Sequence, residues 1–205
     1  RRTLDDAVLQ VHQRDAMAAF THVRIILGMV LGLAVSRLLV GVSRFIQHPH
    51  KFRIYPAHLV WVAFLLAAIV RFWWFEFHLR NLPYWTFVTY LFVVFYASLY
   101  FLLSALLFPD SMEEYAGYGD YFRSRRVWFF GILMLLFSVD ILDTWLKGAD
   151  YLASLGVEYF AHCFAILALA VAGMVARRDR QQLVIALAAL LVLVVFTLRH
   201  FVVLG

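Results

Sequence analysis

An all-α fold, a polytopic six-helix transmembrane bundle, is what this sequence predicts, on three grounds. Of its 205 residues 64% are hydrophobic and only 15% charged, against roughly 45–50% and about 25% in soluble domains. A globule this small has too much surface to hide that many apolar side chains from water. The apolar residues are gathered into six stretches of about the 20 residues that a membrane-crossing helix needs, and none of the six alternates as the strands of a membrane barrel do. The same composition excludes disorder, a disulfide scaffold and a collagen-like fibre: there is one cysteine, Cys163, with 10 glycines and 20 Phe, 10 Tyr and 6 Trp.

The spans run over about 20–46, 56–79, 83–108, 127–146, 151–176 and 183–203, and together form a single integral membrane domain covering 1–205. The first twenty residues are charged and hold no apolar core of 7 to 15 residues, so no signal peptide is expected there. In the first span Gly28, Gly32 and Ser36 are spaced by four, a small-residue track that lets another helix come close, within the chain or from a second copy. Prolines punctuate the next two spans where a missing N–H costs least: Pro49 and Pro56 bracket the first connection, Pro83 opens the third helix and Pro109 closes it. Spans two and three are rich in aromatic residues, with Trp73, Trp74 and Trp85 at the depth of an interfacial belt. The loop 109–126 carries Asp110 before Glu113 and Ser111 before Glu114, the pattern of a capping box. Tyr115, Tyr118 and Phe122 then recur ahead of Arg123, Arg125 and Arg126, which predicts an amphipathic segment at the membrane face, with Gly117 and Gly119 as competing breakers.

Lysine and arginine set the orientation. Loops one, three and five hold nine: Arg44, Lys51, Arg53, Arg123, Arg125, Arg126, Arg177, Arg178 and Arg180. The other side holds six: Arg1, Arg2, Arg14, Arg80, Lys147 and Arg199. The three loops are therefore expected in the cytoplasm of a bacterial inner membrane, with both termini outside. The net charge of +5 is explained by these loops, and no nucleic-acid partner is expected.

Charged side chains within a membrane point inward, at a partner or at water. At about 1.5 Å per residue, Arg71, Asp140 and Asp143 fall in the outer third, Glu158 roughly 12 Å and His162 roughly 18 Å below the outer surface. Glu76, His78, His22, Arg24, Arg199 and His200 come out near the outer interface, where they can snorkel. Asp140 and Asp143 share one face, as do Ser154, Glu158 and His162, and a third stripe joins Arg71, Trp74 and His78. The economical arrangement is an outward-facing polar pocket in which Arg71 neutralises one or more of Asp140, Asp143 and Glu158, with His162 as its innermost titratable group. Arg37, in the inner half, has no intramembrane acid at its depth.

Such a pocket would bind or pass a small ion or solute, protons foremost, in a homo-oligomer or a larger membrane complex surrounded by lipid. Against it, the sequence offers no polar relay to the inner face beyond Ser98, Ser104, Arg37 and His58. The alternative is a non-catalytic accessory or assembly subunit whose ion pairs and small-residue track serve docking. A third reading, haem or a metal at His162, lacks a second deep ligand, so no cofactor is favoured. No nucleophile elbow surrounds Ser138 or Ser154, which argues against an enzyme.

Overall fold

The computed structural model describes residues 2–48, 53–81 and 85–200. Pro49, Lys51, Pro83 and the end of the sixth span beyond His200 lie outside the described residues, as do the side chains of the arm that includes Arg14. Among the described residues the elements are all helical: α1 (Arg2–Gln47), α2 (Pro56–Phe75), a 3-10 helix (Glu76–Asn81), α3 (Phe87–Leu107), α4 (Tyr118–Leu146), α5 (Ala149–Val175) and α6 (Asp179–His200). All six α-helices contain a stretch long and apolar enough to cross a bilayer, that of α1 being Phe20–Gln47.

The helix ends follow from local chemistry. Pro56 takes the first position of α2, where its missing N–H has no partner to lose. Thr86 caps α3 by accepting from the Thr89 N–H at 3.1 Å. Phe108 leaves that helix extended because the following Pro109 disfavours a helical residue before it. The last carbonyls of two helices, which have no partner within their own helix, are taken by buried side chains. His58 Nε2 bonds to Leu107 O at 2.7 Å, and Gln182 Nε2 donates to Gly173 O at 2.8 Å and Ala176 O at 2.9 Å.

Helix α2 is central and packs on α1, α3, α4 and α6; α3 lies between α1 and α4, and α5 between α4 and α6. Its core is a run of aromatic rings, with Trp61 meeting Phe64, Phe129 and Phe130 at centroid distances of 5.2, 5.3 and 5.4 Å. Ring contacts of this kind add to plain area burial. Two glycines admit rings against the backbone: Phe108 lies directly on Gly41 and Phe130 directly on Gly173, each where a Cβ would stand. The outward faces carry apolar side chains such as Leu33, Val70 and Leu142, as lipid requires.

Three expectations need correction. The capping-box pattern at 110–114 does not start a helix: Ser111 Oγ accepts from the Glu113 N–H at 3.2 Å in a local turn. The helical segment predicted inside the loop 109–126 is instead the beginning of α4, which starts at Tyr118 rather than 127 and buries Tyr118, Tyr121 and Phe122. Helix α5 is not one straight rod, because Gly156 has φ 62° and ψ −163°, a conformation that is essentially glycine's alone. The part beyond Gly156 comprises 157–175, about 28 Å at 1.5 Å per residue, so it can span the hydrocarbon core by itself.

At the end carrying loops one, three and five, ion pairs tie the loops to the helices. Arg37 donates to Asp110 Oδ1 at 2.6 Å and to Phe108 O at 2.9 Å, so its acidic partner comes from a loop rather than from a span. Arg123 and the Tyr55 hydroxyl both donate to Asp179, each at 3.1 Å. Burial, reinforced by the Asp179 carboxylate, pushes the Tyr55 phenol up to about 12.

Candidate functional site: a buried charge cluster

Five ionisable side chains meet at the opposite end of the bundle. Arg71 comes from α2, Glu76 from the 3-10 helix that follows it, Asp140 and Asp143 from α4, and Lys147 from just beyond α4. None has more than 4% of its side chain exposed. Each reaches the site for a local reason. Asp140 and Asp143 are three residues apart on α4, and Lys147 is four further on, so its ammonium folds back over the last turn onto Asp143. Glu76, the C-cap of α2 where the 3-10 helix begins, reaches the same ammonium from the end of α2.

Two halves can be distinguished. In the first, Arg71 Nη2 lies 3.3 Å from Asp140 Oδ1, and Asp140 accepts two phenol protons: from Tyr96 of α3 on Oδ1 at 2.5 Å and from Tyr159 of α5 on Oδ2 at 2.9 Å. The Cys163 thiol lies 3.7 Å from the same Oδ2. Four helices are thereby joined at one carboxylate. In the second half, Lys147 Nζ donates to Asp143 Oδ2 at 2.5 Å and to Glu76 Oε1 at 2.8 Å, while sitting 4.0 Å from the centre of the Phe75 ring. Arg71 Nε and Nη1, Glu76 Oε2 and Asp143 Oδ1 are buried without a hydrogen-bond partner among the described residues.

The charge count is uneven. Within these five groups two cations face three carboxyl groups, so fully ionised they carry one net negative charge and become neutral on taking up one proton; Arg24 of α1 borders the Glu76 side, lining a small cavity with it. Net charge held away from water is costly, which gives that proton a physical reason to bind.

Of the sequence-predicted site residues, the structure brings together Arg71, Asp140 and Asp143, buries His162 beside them without a hydrogen bond to any of the three, and leaves out Glu158. Glu158 is half exposed and pairs with α6, its carboxylate 2.6 Å from Arg199 and 3.6 Å from His200. The break at Gly156 is the reason: Glu158 stands on the first turn after it, level with the last turn of α6, rather than deep along an unbroken helix. The Ser154, Glu158, His162 stripe is cut at the same point. His162 is buried, stacked on Phe196 at 4.4 Å with Phe137 at 5.7 Å. Neither of its ring nitrogens is in bonding geometry with a partner among the described residues. The stripe Arg71, Trp74, His78 ends at Phe75, after which His78 packs against the Tyr151 ring at 4.4 Å.

Glu76 and Lys147 belong to the cluster although depth placed Glu76 at the interface and Lys147 counted only toward loop charge. Spacing was the available signal for Lys147, four residues after Asp143; Glu76, five after Arg71, falls on another face of a regular α-helix and gave none. Tyr96 and Tyr159 gave none, since phenols abound in these helices. Among the described residues no three of His, Cys, Asp and Glu gather as metal ligands would. In the small-residue track, a Cβ on Gly28 would meet Trp73 at 3.1 Å, whereas Gly32 has nothing within 4 Å and Ser36 is exposed.

Comparison with known proteins gives no relative. No protein-family model, curated protein or solved structure matches the chain. What the cluster does must therefore be argued from its own chemistry.

Proposed function

We propose that this integral membrane protein binds a small ion, foremost a proton, reversibly at the charge cluster, as part of ion or solute handling in a bacterial inner membrane with both termini outside. One observation carries the reading: five buried ionisable groups, two cationic and three acidic, which are neutral only with one proton bound. The carboxyls that share Lys147, Glu76 and Asp143, are the binding pair, and Arg71 with Asp140 forms the fixed half. The chain acts as a homo-oligomer or in a larger complex, using the uncovered Gly32 and Ser36 as contact.

The test is proton flux into liposomes that contain the full chain and an internal pH dye. Protein-dependent flux should be lost in Glu76→Gln and retained in Glu158→Gln, whose carboxylate lies outside the cluster. Equal flux with and without protein would sink the reading.

A second reading, a non-catalytic accessory subunit, is favoured by the packed rings of Trp61, Phe64, Phe129 and Phe130 between the cluster and the arginine-rich end. On that reading Glu76→Gln leaves flux unchanged but weakens assembly with partner subunits.

A further inference from the structure

Two arginine runs far apart in the chain meet at the end of the bundle that carries loops one, three and five. Arg123, Arg125 and Arg126 stand in the opening turns of α4, and Arg177, Arg178 and Arg180 flank the start of α6. The antiparallel packing of α4 on α5 sets their level. Phe130 lies on Gly173, so four residues further out along each chain, about 6 Å at 1.5 Å per residue, Arg126 comes level with Arg177. Arg123 joins the two runs directly, with Nη1 3.1 Å from Asp179 Oδ1. Asp179 is the one carboxylate between them, and it already serves Arg123 and the Tyr55 hydroxyl. Arg125 donates to the Tyr115 hydroxyl at 2.9 Å. The other acids of this end, Asp110, Glu113, Glu114 and Asp120, lie within 110–120, where Asp110 pairs with Arg37 and Asp120 accepts from the Ala116 N–H at 3.3 Å. Arg126, Arg177, Arg178 and Arg180 are thus left without an acidic partner among the described residues, and the last three are exposed.

The bias that sets orientation asks only for basic residues somewhere in these loops; it does not gather them at one corner free of acids. Uncompensated guanidinium groups held together repel one another, and an anion among them relieves that repulsion. The position of the corner says which anion. Val127 and Trp128 of α4 and Val175 of α5 are exposed at the same level, so apolar side chains directed at acyl chains border the arginines directly, and tryptophan is favoured at such a boundary. An occupant that fits both surfaces carries acyl chains on one side and a phosphate on the other. Guanidinium meets phosphate oxygens in a planar two-point fork, and basic clusters just outside a span attract anionic headgroups. A zwitterionic headgroup brings its own ammonium and leaves the excess charge in place. We propose that this corner of α4, α5 and α6 is a binding site for an anionic phospholipid, with its phosphate among Arg126, Arg177, Arg178 and Arg180 and its acyl chains beside Trp128 and Val175. The inference goes beyond the proton reading, because it concerns the opposite end of the bundle and is tested without any flux.

The full chain, released from nanodiscs of equimolar phosphatidylglycerol and phosphatidylcholine with matched acyl chains, is weighed by native mass spectrometry. Phosphatidylglycerol should be retained several-fold over phosphatidylcholine. Arg177→Gln/Arg178→Gln/Arg180→Gln should lower that preference several-fold, whereas Arg199→Gln, at the other end of the bundle, should leave it unchanged. If the triple variant does not fold, Arg177→Gln/Arg178→Gln replaces it. Phosphatidylglycerol with a diazirine on the acyl carbons nearest its headgroup should cross-link to Trp128 and Val175 several-fold more than to Leu142, an exposed residue toward the other end of α4. Equal retention of the two lipids, a preference indifferent to the arginine substitutions or equally reduced by Arg199→Gln, or equal cross-linking at Leu142 would each overturn the proposal. So would displacement of the bound lipid by millimolar glycerol phosphate, which would assign the corner to a soluble phosphate compound.

Discussion

Replacing Arg71 with methionine removes the cation from the Asp140 half while keeping a long apolar side chain between the Phe75 and Phe137 rings that flank the guanidinium at 5.8 and 5.9 Å. At 3.3 Å an effective dielectric of about 20 gives about 5 kcal/mol of attraction. The contact is a single N–H to one carboxylate oxygen rather than a bidentate fork, and Asp140 keeps its two phenol donors. The expected loss is therefore about 3–4 kcal/mol, toward the lower end for breaking one partner of a buried pair. The double variant Arg71→Met/Asp140→Asn leaves no orphaned charge. It retains an acceptor for the tyrosines, and should cost only about 1–2 kcal/mol. Unfolding in mixed micelles by titration with a denaturing detergent, followed by tryptophan fluorescence, measures both. A single-variant loss under about 1 kcal/mol, or a double variant that costs the sum of the singles, would refute the idea that this pair is a desolvated and coupled one.

Three further outcomes follow from the geometry. The phenol of Tyr55 is raised to about 12 from about 10 in the unfolded chain, so the folded state holds a proton that the unfolded state releases. Stability from this group is complete below pH about 10 and is lost as pH rises toward 12; Tyr55→Phe should abolish that alkaline decline in thermal melts. Gly173→Ala forces a methyl into the Phe130 ring and should cost about 1–3 kcal/mol, with Phe130→Leu restoring part of it in the double variant. A membrane-impermeant maleimide applied to intact cells should leave Ser124→Cys unlabelled and label Asp150→Cys, and the reverse pattern would invert the assigned orientation.

The number of helices was legible because bilayer thickness writes itself directly into the length of apolar runs. Arg71, Asp140 and Asp143 were legible as neighbours for a related reason: along unbroken helices, position in sequence converts to depth, and depth limits which charges can meet. The same conversion failed for Glu158. It assumed a constant rise through Gly156, and one glycine inside an apolar run carries no mark that its φ will be positive. Lys147 was overlooked because a basic residue just past a helix is informative about topology whether its side chain points to water or folds back onto Asp143. The start of α4 was hidden by competing signals, since Ser111 and Asp110 suit a cap while Gly117 and Gly119 suit a break. Burial of Tyr118 and Phe122 against the bundle decided between them, which is a tertiary effect.

The packed rings between the cluster and the arginine-rich loops have an electrical consequence. Along α4, Asp140 is about 9 Å from the end at Leu146 and about 20 Å from Val127, and the longer stretch is packed with aromatic side chains. A transmembrane voltage that falls evenly with depth drops about twice as much across that packed layer as across the short approach to Asp140. On the proposed proton reading, a proton entering the cluster from the nearer compartment would traverse roughly a third of the field, or about 0.7 of the 2.3 kcal/mol that 100 mV imposes on a charge crossing completely. One unit of pH is worth about 1.4 kcal/mol to the same proton. On that reading, occupancy of the cluster would follow the acidity of one compartment about twice as strongly per pH unit as it follows 100 mV of membrane potential.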